Sequence, residues 1–136
     1  RQYPGVPLYW SDVIRTSKEN GYTECYGGKR YKLSKWDEKN RWISESSAIN
    51  FPIQGSGGSM KEIMVSVLSK KMPETLLSLD LHDATFNFAR LDPLKETEEA
   101  MVECLNAIDY SSFWGFELPI PLPYESASGR SFGEVK

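Results

Sequence analysis

Apolar residues at Val6, Tyr9, Trp10, Val13 and Ile14 recur at helical spacing, and Asn20-Gly21 offers a left-handed stop, so residues 7–20 are predicted to form an amphipathic helix. Tyr22–Tyr26 and Lys29–Leu33 are short β-prone runs around Gly27-Gly28, which predicts a hairpin closed by a two-residue turn. Residues 36–49, with Trp36, Trp42, Ile43, Ala48 and Ile49, suit a second helix. Pro52 is expected to end it, because the residue before a proline is pushed out of the α region. Ser59 followed by Glu62 has the form of a capping box, and Ile63, Met64, Val67 and Leu68 then line one face of a third helix that runs to Lys70-Lys71. Leu77, Leu79 and Leu81 alternate with polar residues, as do Ala84, Phe86 and Phe88. Two strands are therefore predicted to meet at His82-Asp83. A fourth helix, 94–109, places Met101, Cys104, Leu105 and Ile108 on one face, and the proline-rich stretch 118–125 reads as extended.

This order predicts an α+β fold, a small antiparallel sheet with a motif-bearing hairpin packed by about four helices. Composition fits that picture. With 136 residues, 40% apolar and 26% charged, the chain is expected to be one soluble globular domain. The net charge of −3 gives no global basic field, but residues 1–61 carry ten basic against six acidic groups, whereas 62–136 carry six against thirteen. One half is thus suited to face an anion.

Two cysteines, Cys25 and Cys104, and a single histidine are too few for a closed zinc site. The cysteines are expected to be free buried thiols, as in a reducing compartment. No apolar run approaches the ~18 residues of a membrane-spanning helix, so no membrane partner is expected. The chain opens on arginine rather than methionine, and a fragment or processed product is expected.

Three stretches offer chemistry. His82-Asp83 stands where Asn-Gly or Asp-Gly would be the ordinary turn, and a carboxylate at a hairpin tip suits a hard divalent cation such as Mg2+. Asp and His also tolerate left-handed turn geometry, which accounts for the pair without any ligand. In Asn50-Phe51-Pro52-Ile53-Gln54-Gly55, two primary amides four positions apart precede glycines. They can donate to minor-groove acceptors without reading sequence, or simply mark a helix end before a flexible loop. Finally Lys29, Arg30, Lys32, Lys35, Lys39 and Arg41, interleaved with Tyr31, Trp36 and Trp42, suit a phosphate backbone or a solvated helical face. Gly27-Gly28-Lys29 lacks the spacing of a phosphate-binding loop. A cysteine hydrolase built on Cys25 and His82 is a poor reading, since nothing around Cys25 forms a nucleophile turn.

Taken in order, these stretches resemble the carboxyl-terminal part of the A family of DNA polymerases. The likeness begins at Tyr3-Pro4-Gly5-Val6 and runs through Asn20-Gly21-Tyr22 and Gly28-Lys29-Arg30. It is most specific at Ala48-Ile49-Asn50-Phe51-Pro52-Ile53-Gln54-Gly55 and at His82-Asp83, and it ends at Gly129-Arg130-Ser131-Phe132-Gly133-Glu134. The resemblance implies a partial polymerase palm. Residues 1–61 would be duplex-contacting helices and hairpin, and 62–136 a palm with the His-Asp hairpin. It further implies that Asp83 is a catalytic, metal-binding aspartate for two Mg2+ ions, that His82 lies near the primer terminus, and that Asn50 and Gln54 touch the minor-groove side of primer-template DNA.

The chain departs from the family at Ala84, where Glu is usual, at Ser46, where Arg is usual, and at Ser59 and Glu62. The family's first and second motifs would precede residue 1. Ile108-Asp109-Tyr110-Ser111 resembles the first motif only superficially and is read as coincidence. The expected partners are primer-template DNA, deoxynucleoside triphosphates, a missing N-terminal polymerase half and, through an exposed sheet edge, a second copy. The expected function is part of a template-directed DNA polymerase, inactive alone, in the cytoplasm of a bacterium or of a virus's host. The competing expectation is a non-catalytic duplex-DNA-binding module derived from a palm.

Overall fold

The structure, a computed structural model, describes residues 3–33, 41–81, 84–90 and 93–135, with the backbone alone at 41–43 and 76. The chain divides into two compact units, Arg1–Ser59 and Met60–Lys136. The expected α+β class holds, with two separate two-stranded antiparallel sheets and four helices among the described residues.

In the first unit, α1 spans Gly5–Asn20 and stops as the sequence predicts. Gly21 takes φ 74° and its N–H closes on the Ser17 carbonyl at 2.9 Å. Strands β1 (Tyr22–Glu24) and β2 (Arg30–Lys32) pair with Thr23 opposite Tyr31 and Glu24 opposite Arg30. Their connection is not the expected two-residue Gly27-Gly28 turn. The Cys25 carbonyl accepts the Gly28 N–H at 2.9 Å and Cys25 N–H donates to Lys29 at 3.0 Å, so the loop is Tyr26-Gly27-Gly28. Gly28 alone of the two glycines takes a positive φ, 73°, as a turn followed by one left-handed residue requires.

The largest correction concerns α2, one continuous helix over Arg41–Lys71 where two were expected. Pro52 lies inside it, and Ser59 and Glu62 are interior residues rather than a capping box. A helical proline removes one N–H and orphans the carbonyl four residues back, at a cost of about 3 kcal/mol. Here that carbonyl belongs to Ala48, which is fully buried, and the Thr23 hydroxyl donates to it at 3.2 Å. The Ser56 hydroxyl donates to the Pro52 carbonyl and accepts the Tyr26 N–H at 3.0 Å. The hairpin thus completes the helix where proline interrupts its ladder. Gly55 lets the two approach, since a Cβ there would stand 3.0 Å from Cys25 Cβ.

In the second unit, the later part of α2 packs on α3 (Leu94–Asn106) through the faces the periodicity predicts. Met64, Leu68, Met72 and Leu105 are buried, with Met101, Cys104 and Ile108 against them. Strands β3 (Leu76–Leu81) and β4 (Ala84–Phe88) pair antiparallel, with Leu81 opposite Ala84. A bulge between Leu77 and Leu79 corrects the simple alternation. Leu77 pairs with Asn87 and shares a face with Asp80 and Thr85, while Leu79 and Leu81 share the other with Phe86 and Ala84. Lys61 of α2 meets Asp80 at 2.5 Å. The opposite face keeps Leu81 44% and Phe88 67% exposed, although Phe86 packs against Phe132 as a tilted ring pair with centroids 4.5 Å apart.

The short α4 (Ser111–Trp114) was not expected; α3 stops before residue 109, and Asp109 accepts the Ser111 N–H at 2.9 Å. The Ser111 hydroxyl, which also donates to this carboxylate, does most to hold the Asp109 carboxyl below its usual range, with the N–H bond adding to it, which gives this aspartate a local turn-forming role. Cys25 and Cys104 are both free thiols, the first buried and the second half-buried. Among the described residues no helix is long and apolar enough to cross a membrane.

Residues 118–125 form no strand but belong to a strap laid on α3, held where Tyr124 N–H meets Asn106 at 3.3 Å. Ser128 and Ser126 hydroxyls donate to the two oxygens of Glu98 at 2.6 and 2.7 Å. Those bonds, Ser128 first, lower the Glu98 pKa. A depressed carboxylate pKa contributes stability above the unfolded value, lost as pH falls through the folded one. The strap is therefore expected to loosen only below the ordinary glutamate range of about 4.3. Protection of the Tyr124 amide, taken relative to its intrinsic exchange rate at each pH, should fall there, and Glu98→Gln should abolish that pH step; an unchanged profile in the variant would refute it.

Candidate nucleic-acid interface

Continuity of α2 through Pro52 decides how the two primary amides are displayed. Residues four apart on a helix lie one above the other, so Asn50 and Gln54 share a face one turn apart. Both are exposed, as are Ile53 (61%), Gly57 and Gly58. A Cβ at Gly57 or Gly58 would meet nothing within 4 Å, so these glycines are not demanded by packing inside the protein. They leave one side of the helix bare beside the amides. The opposite side, with Ala48, Gly55, Ser56 and Ser59, is the one that closes on the hairpin or is otherwise buried.

Lys29 and Arg30 sit on that hairpin, so α2 directs Asn50 and Gln54 away from the surface on which the hairpin packs. Lys29 and Arg30 are both exposed. The Arg30 guanidinium already has local partners, Glu24 directly across the ladder at 2.5 Å and the Tyr22 ring at 4.5 Å. The Glu24 hydrogen bond chiefly raises its pKa, so Arg30 stays cationic. Arg41 is the first residue of α2, and its side chain lies outside the described set. His82 and Asp83, the two residues that join β3 to β4, also lie outside the described residues, as does 34–40 of the basic stretch.

Among the described residues, no group of three or more His, Cys, Asp or Glu could hold a metal ion. Cys25 packs its thiol beside the Gly55 position, within a buried core. Sequence reasoning missed Thr23, and it marked Gly55, Gly57 and Gly58 alike as close-approach glycines, without separating the one that meets the hairpin from the two that meet open space. Pro52 was the available signal, because an orphaned Ala48 carbonyl has to find a donor somewhere.

The fold is that of part of a polymerase domain. It superposes with a TM-score of 0.80 and 25% identity on the "POL domain of Pol1 from M. smegmatis complex with DNA primer-template and dNTP", covering 96% of this chain and 23% of that one. The chain belongs to DNA polymerase family A, whose sequence profile it matches over residues 1–134. It is 29% identical to DNA polymerase I of Lactococcus lactis over 99% of its length and 26% identical to that of Bacillus subtilis over 98%. The chain spans about 15% of the length of these curated relatives.

Proposed function

We propose that this chain is the duplex-holding and partly metal-bearing portion of a template-directed DNA polymerase. The observation that carries the reading is the exposed Asn50–Gln54 turn on an unbroken α2, flanked by glycines that add no bulk. Carboxamide N–H groups aimed into a minor groove meet purine N3 and pyrimidine O2 acceptors, which every base pair presents there. Such contacts test duplex form near the growing end and tolerate any sequence. Lys29 and Arg41 would supply phosphate contacts, with Arg30 as a cation preset by Glu24 and Tyr22.

Asp83 would offer one hard oxygen ligand to a pair of divalent cations, Mg2+ by chemistry. When bound, such a pair lowers the pKa of an attacking 3′ hydroxyl and stabilises the leaving oxygens of a nucleoside triphosphate. A single carboxylate does not seat two ions about 3.5–4 Å apart, so this chain requires the rest of the polymerase for catalysis. His82 would lie beside the primer terminus. The partners are primer-template DNA and deoxynucleoside triphosphates.

Asn50→Ala and Gln54→Ala in the complete polymerase are each expected to weaken primer-template binding about fivefold, the worth of one lost net hydrogen bond. Because the amides are neutral, the salt dependence should keep its slope, whereas Lys29→Ala or Arg41→Ala should flatten it. Fluorescence anisotropy across a salt series measures both, and wild-type affinity in both amide variants would overturn the interface.

A further inference from the structure

We infer that Thr23 is a positioning residue for duplex binding: its hydroxyl, by capping the Ala48 carbonyl that Pro52 leaves without a donor, holds Asn50 and Gln54 on one continuous helical turn. This rests on the duplex-contacting role proposed for those two amides.

Pro52 falls between the two amides, at the point in α2 where misalignment would rotate one against the other. Kinks in helices arise at proline because the ring crowds the preceding turn and one ladder bond is lost. The carbonyl at stake is on Ala48, a residue with no exposure, so water is not at hand to replace the missing N–H. Thr23 lies 25 residues earlier on β1, is itself buried, and donates to that oxygen at 3.2 Å. One turn further along, the Ser56 hydroxyl joins the Pro52 carbonyl to the Tyr26 N–H at 3.0 Å. The hairpin therefore grips α2 on both sides of the proline, and Thr23 is the grip that substitutes for the absent backbone donor. A valine of nearly the same shape would keep the packing and lose the donor.

The dependence on Pro52 gives the test a signature that general destabilisation does not share. With Pro52→Ala, residue 52 regains an N–H that can bond the Ala48 carbonyl within the helix, and the Thr23 hydroxyl becomes redundant. In the complete polymerase, Thr23→Val is expected to weaken primer-template binding about fivefold at a temperature where circular dichroism shows it folded. Thr23→Ser should restore binding, and Thr23→Val in the Pro52→Ala background should change it less than about twofold. Should Thr23→Val not fold by itself, refolding in the Pro52→Ala background supports the inference and continued unfolding overturns it. Equal losses in both backgrounds, or no loss in either, overturn it while Asn50→Ala and Gln54→Ala still weaken binding. If those two variants bind as wild type, the duplex-contact reading falls and this inference with it.

Discussion

Replacing Asp83 by Ala in the complete polymerase is expected to cut primer extension by about three orders of magnitude while primer-template affinity stays within a factor of two. Phosphoryl transfer leaves little covalent work to the protein, and most of the rate comes from placing charge opposite the oxygens that gain it. A carboxylate that anchors a divalent cation is needed for that charge to be in place. Under the proposed reading, duplex affinity would draw instead on phosphate contacts and on the Asn50–Gln54 turn, which belongs to the first compact unit. Single-turnover extension and anisotropy on the same preparation separate the two. Retained extension in Asp83→Ala would favour the non-catalytic duplex-binding module, and joint loss of extension and affinity would mean that the substitution damages the fold. Asp83→Asn sharpens the result. It keeps size and one acceptor oxygen but removes the charge, so it should be nearly as slow as alanine.

How far the fold was legible depended on whether a contact was local. The faces carrying Met64, Leu68, Met101 and Leu105 follow from 3.6-residue spacing alone, and they form the core of the second unit. Gly21 ends α1 because only its left-handed φ closes the last turn. The expected break at Pro52 failed for a nonlocal reason. Local propensity correctly assigns a cost to a helical proline, but the hydroxyl that offsets it comes from a strand 25 residues away. No window along α2 contains that information. The bulge at Leu77/Leu79 and the three-residue loop after Cys25 were missed because register depends on how strands pair.

The candidate site was legible in part. Asn50 and Gln54 were marked by residue type and spacing, and their common exposed face followed once α2 proved continuous. The basic stretch was read as suiting a phosphate backbone or a solvated helical face, and neither reading carried the partners that hold Arg30, Glu24 and Tyr22, which are set by strand register and packing. The glycines after Gln54 looked alike in sequence as well. Only the packing separates Gly55, which faces Cys25, from Gly57 and Gly58, which face open space.

That distinction leads to opposite outcomes for the same kind of substitution on one helix. Any side chain at Gly55 gains helix propensity, about 1 kcal/mol for Ala and less for Val. Against this, its Cβ would stand 3.0 Å from Cys25 Cβ and 3.3 Å from both Cys25 Sγ and Phe51 Cζ. Cys25 immediately precedes the hairpin loop and is buried, so it moves only by shifting the loop whose Tyr26 N–H bonds Ser56. For Ala the two effects nearly cancel. For Val the added methyls extend the clash, and overpacking of about 3 kcal/mol outweighs the propensity gain. Gly55→Val is therefore expected to lower stability by about 2–3 kcal/mol in urea denaturation and to weaken duplex binding, because separating hairpin from helix also withdraws the Thr23 hydroxyl from Ala48. Gly57→Ala and Gly58→Ala should instead stabilise by up to about 1 kcal/mol each, since nothing stands within 4 Å of the new methyl. They should still bind primer-template less well, as the methyl occupies the side of α2 left bare beside Gln54. A Gly57→Ala variant that is both more stable and an equal binder would show that the DNA does not approach this side of the helix.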